Sequence, residues 1–123
     1  MAQRENAQAS FLRDGENILK ADGMFIIGTK IQSLGLRSCN LCGFKNCEEK
    51  DQHPTFPCIF NTGDLGIAMG SAVSIAMDAR VDNRIMYSVG QAVVEMKLLG
   101  DDVKIAFGIP LSVSAKNPFF DRK

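Results

Sequence analysis

Apolar positions recur at helical spacing over residues 11–21, with Phe11, Leu12, Gly15, Ile18 and Leu19 on one side and Arg13, Asp14, Glu16 and Asn17 on the other. Ser10 is the expected cap of this helix, and Asp22-Gly23 its end. The run Met24–Thr29 is unbroken rather than alternating, which predicts a central strand covered on both faces. Residues 30–60 lose periodicity, and Gly35, Gly43, Pro54 and Pro57 leave room for one or two helical turns between Cys42 and Asp51.

From Asn61 or Thr62 as cap, a helix is predicted to about Ala79, apolar nearly all round and therefore buried. Gly63, Gly66, Gly70 and Ser71 weaken it, which a closely packed backbone or cofactor would offset. After the corner Arg80–Arg84, a second, amphipathic helix carries Ile85, Met86, Val89, Ala92, Val93, Met96 and Leu99 and stops at Gly100. Val103–Phe107 alternates as a strand, and Gly108-Ile109-Pro110 is expected to terminate it. The tail from Ser112 to Lys123 reads as mostly irregular, with Phe119-Phe120 needing a docking place.

These elements give an α+β class: a small sheet packed by two central helices, with an irregular cysteine-bearing insertion. The crossover between the two strands is long enough for a parallel pairing. Two strands are marginal alone, so a homo-oligomer or an additional segment is expected to complete the sheet.

Composition narrows the function classes. The chain has 123 residues, enough for a single domain over 1–123, and its 14 basic and 14 acidic residues cancel. Without a net field or a charge block, neither nucleic acid nor an anionic membrane is an expected partner. The first ten residues hold no apolar stretch of the secretory kind, and no later run is long enough to span a bilayer, so a cytoplasmic location is expected.

The chemistry lies in the cysteines. Cys39, Cys42, Cys47 and Cys58 follow C-x2-C-x4-C-x10-C and are all the cysteines of the chain. In a reducing compartment such clustering reads as metal ligation rather than disulfides. Structural zinc sites usually present two separated C-x2-C pairs, and only one is present here. Three ligands in a short loop with a remote fourth is the style of iron–sulfur binding, so the expected occupant of the segment 39–58 is a four-iron (4Fe-4S) cluster, with zinc as the alternative.

The stretch Cys39-x2-Cys42-Gly-Phe-x2-Cys47 followed by Cys58 resembles the four-cysteine motif of electron-transfer and corrinoid iron–sulfur proteins. A wider likeness runs through Phe11-Leu12-Arg13-Asp14, Phe25-Ile26-Ile27-Gly28, Asp64–Ala72, Val81–Ser88 and Lys116–Arg122. These blocks resemble the uncharacterised prokaryotic family containing a ferredoxin domain. That likeness implies a cluster on four cysteines and, in family members, an additional N-terminal segment; an electron carrier of this kind is expected to work with a redox partner protein. The order of strand, small-residue helix, second helix and strand is also similar to the C-terminal half of flavin-dependent nitroreductases, which implies a dimer with FMN at its interface.

Other polar residues have plainer readings. His53 suits a solvated loop position, with ligation or donation to cluster sulfur as the alternative. Asp64 is explained by the helix dipole, and Asp82-Asn83-Arg84 with Tyr87 by a cap and an ion pair at a helix corner. The methionines fall at packing positions. Hydrolase, dinucleotide-binding, P-loop and zinc-peptidase motifs are absent, and no catalytic residue is assigned. The remaining function classes are an iron–sulfur electron carrier, a flavin-dependent oxidoreductase with an accessory cluster, and a zinc-stapled interaction module.

Overall fold

In the computed structural model, which describes residues 2–120 and side-chain burial from Ala9 onward, the two apolar runs of the sequence pair with each other. Strand β1 (Gly23–Lys30) lies antiparallel to β3 (Val103–Ser112), with Phe25 opposite Ile109 and Ile27 opposite Phe107. A two-residue strand, β2 (Asp82–Asn83), joins the other side of β3, giving the order β1-β3-β2. The fold is thus α+β with a three-stranded antiparallel sheet.

Helices cover the sheet from both sides. The small residues of α3 (Ile59–Asp78), such as Ala72 and Ala76, face Phe25, Ile109 and Leu111. On the opposite face, α4 (Tyr87–Glu95) lies directly on β3. A β-carbon at Gly90 would overlap the Ala106 carbonyl group, so only glycine permits this approach. Gly108 answers it from the strand, where a β-carbon would collide with the Val89 side chain. Met86, Val93, Ala106, Ile109 and Phe119 form the buried centre. Helix α1 (Ala2–Leu19) attaches to α4 through polar groups: buried Asp14 accepts from Ser88, and Arg13 donates twice to the same carboxylate.

Several expectations change. Ser10 does not cap α1 but lies within it, because the alanines, glutamines and other helix formers before it extend the helix back to Ala2. The strand pair is antiparallel, and β1 is an edge strand with Met24 and Phe25 still exposed. Its unbroken apolar character reflects contact with helices on both faces of the sheet, although neither helix covers it fully.

Pro110 does not end β3. Gly108 exchanges two backbone hydrogen bonds with Met86, so by strand alternation the nitrogen of Pro110 faces the gap between Met86 and β2, where no donor is required. The same bridge removes Ile85 and Met86 from α4, which begins later and ends earlier than its apolar stripe suggests.

Helix α3 is not buried all round. Among its described residues only Leu65 is buried, while Ile67, Ile75 and Met77 are exposed. A β-carbon added at Gly63, Gly66 or Gly70 would meet no neighbour within 4 Å, so among the described residues no backbone packs close against these glycines. The polar corner also differs from expectation, since Arg84 forms no ion pair among the described residues. It donates to the Phe119 carbonyl at 2.8 Å and lies 4.8 Å over the Phe120 ring, which docks the tail. Met1 and residues 121–123 lie outside the described residues.

Candidate metal centre

The loop between β1 and α3 is held by short-range geometry at each cysteine. Gly35 and Gly43 both adopt positive φ (80° and 96°), and the Gly43 amide closes a turn onto the Asn40 carbonyl between Cys39 and Cys42. Cys47 opens α2 (Cys47–Asp51), whose cap Asn46 accepts from the Glu49 amide at 2.8 Å, while Glu49 accepts from the Lys45 amide. Cys58 is the N-cap of α3, displacing Asn61 and Thr62 into the helix.

Asn61 has a different task. Its side chain accepts from the Gln32 amide at 2.8 Å, and Ser33 donates to Asp51, so the arm leaving β1 is tied to both α3 and α2. Beside the cysteines, Phe44 stacks on His53 with centroids 5.3 Å apart, and Phe56 meets both rings edge-on. His53 therefore packs among aromatic rings and does not line the thiol pocket. Asp64 lies beyond the first turn of α3, so the helix dipole does not account for it.

All four cysteines line one pocket, together with Leu34, Leu36, Ile59 and Phe60. Three separate parts of the chain contribute: the Cys39–Cys42 turn, the start of α2 and the start of α3. All four are free thiols, and Cys58 is buried while the others are partly covered. The pocket is closed in, with about 10 Å³ of free space. Among the described residues, no three His, Cys, Asp or Glu side chains already stand in the arrangement that holds a metal ion. The donor set nevertheless fits a soft metal or cluster in number and chemistry: four thiols, apolar walls and one cation.

That cation is Lys50, which no sequence motif singles out. In Glu48-Glu49-Lys50-Asp51 it reads as part of a solvated charge run, yet its side chain is only 3% exposed. Its position three residues after Cys47 on a short helix is the available clue, since such residues share a face. Burial disfavours the Cys58 thiolate. The N–H groups of Leu34, Phe60 and Asn61 and the Lys50 ammonium outweigh it, and the Cys58 pKa lies below its ordinary value. No side-chain hydrogen bond of ordinary geometry caps α3 at this residue, so these amides act on the sulfur as weakly aligned dipoles.

A separate apolar groove of about 330 Å³ runs between α3 and the sheet, lined by Phe25, Ile75, Ile109 and Leu111 among others. Among the described residues its lining has no charged or polar side chain to hold a flavin phosphate. No helix among the described residues is long and apolar enough to cross a membrane.

A family model described as uncharacterized protein containing a ferredoxin domain matches residues 55–122, a segment that includes Cys58 and follows the other three cysteines. An uncharacterised protein of Archaeoglobus fulgidus is 36% identical over 125 residues, an alignment that takes in 96% of this chain and 67% of the relative. No solved structure matches the chain, and the nitroreductase likeness gains no support.

Proposed function

Because the chain belongs to the family of uncharacterised proteins containing a ferredoxin domain, we propose that it is an iron–sulfur electron-transfer protein with one four-iron cluster on Cys39, Cys42, Cys47 and Cys58. The observation that carries this reading is the convergence of all four thiols, from three parts of the chain, on one apolar-walled pocket. When bound, the cluster supplies a site that takes up and releases single electrons. The protein's own residues do the rest. Asn46 and Glu49 fix the start of α2 and with it Cys47, and α3 directs its first amides toward Cys58. Ile59 and Phe60 restrict water at the sulfurs.

A redox partner protein donates the electron and a second acceptor removes it, with no bond made or broken. The test is anaerobic reduction of reconstituted protein with dithionite. Reversible bleaching of visible absorption and a paramagnetic signal of about one spin per chain are expected. Cys58→Ser should abolish both. A colourless protein that stays silent under reduction would refute the assignment.

A further inference from the structure

A buried ammonium requires a nearby negative charge, because desolvation disfavours an isolated cation by far more than a single packed side chain contributes. The carboxylate nearest to Lys50 does not meet that need well. Asp51 stands 3.8 Å away, its side chain is 58% exposed, and it already receives the Ser33 hydroxyl. Lys50 instead lines the same pocket as the four cysteines. Among the described residues no other charged side chain lines that pocket.

We propose that Lys50 is the fixed counter-charge of the thiolate site, and that it raises the reduction potential of the group bound there. This rests on the cluster assignment above. Four thiolates bring four negative charges to the pocket, and each electron accepted makes it one unit more negative. A cation held in place by burial, in surroundings of low polarity, therefore favours the reduced form over the oxidised one. Lys50 acts through its charge and takes no part in making or breaking a bond, so it is a positioning residue.

The test compares Lys50→Gln, Lys50→Met and Lys50→Arg with the wild type in the reconstituted protein, by anaerobic redox titration and iron analysis. Removing the charge should lower the ratio of reduced to oxidised protein at a fixed ambient potential by about tenfold, which for one electron is about 59 mV. Lys50→Arg should keep the wild-type value. If Lys50→Gln and Lys50→Met fail to retain iron while Lys50→Arg retains it, the charge is needed to hold the site at all, and the proposal stands. It is overturned if the neutral variants keep the cluster with a ratio within about twofold of wild type, or if Lys50→Arg is as impaired as they are. A wild-type protein that takes up no cluster would instead remove the assignment on which the proposal rests.

Discussion

Ser88 on α4 donates a 2.5 Å hydrogen bond to Asp14 on α1, and both side chains are buried. This pair joins the N-terminal helix to the layer that backs β3. Asp14→Ala leaves the Ser88 hydroxyl buried without its partner and should destabilise the protein by about 2–3 kcal/mol. Ser88→Ala should cost about as much, because it strips a bond from a buried carboxylate. The double variant should cost less than the sum of the two, as measured by urea unfolding.

Gly90 and Gly66 should respond in opposite senses to alanine. Gly90→Ala drives a methyl group into the Ala106 carbonyl and should cost about 3 kcal/mol or more, with separation of α4 from the sheet. Gly66→Ala on α3 meets nothing within 4 Å and should stabilise the helix by about 0.5–1 kcal/mol. A loss of stability or a change in oligomeric state at Gly66 would mean that a second copy covers this face.

Arg84 holds the tail by a hydrogen bond to the Phe119 carbonyl and a cation–π contact with Phe120. Arg84→Ala should lose about 1–3 kcal/mol and expose the segment after Ser114 to limited proteolysis. Phe119→Ala empties a fully buried position and should cost about 3–5 kcal/mol.

The path of the chain through these elements is only partly legible in its sequence. The cysteine spacing, the α+β class and the C-terminal end of α3 follow from local patterns, whereas the start of α3 at Cys58 does not, because Asn61 and Thr62 look like better caps. The antiparallel pairing does not, because an unbroken apolar run such as Met24–Thr29 looks the same in a parallel or antiparallel sheet. β2 has two residues and no periodicity to read. Pro110 suits a strand end by composition and a strand interior only when its nitrogen faces a gap. Lys50 is hidden because burial of a lysine depends on neighbours distant in the chain, which no local pattern reveals.

Asn61 provides a test of the cysteine loop's support that leaves the thiols intact. Asn61→Ala removes the acceptor of the Gln32 amide and should lower stability by about 1 kcal/mol. The reconstituted variant should also release iron to a chelator faster than wild type. Equal release rates would mean that the arm leaving β1 does not help to hold the site.

Assignment of a four-iron cluster to the four cysteines is most directly tested by the metal and acid-labile sulfide content of protein purified without oxygen. About four irons and four sulfides per chain are expected, lost together in Cys58→Ala. One zinc per chain with no sulfide, unaffected by anaerobic handling, would contradict it.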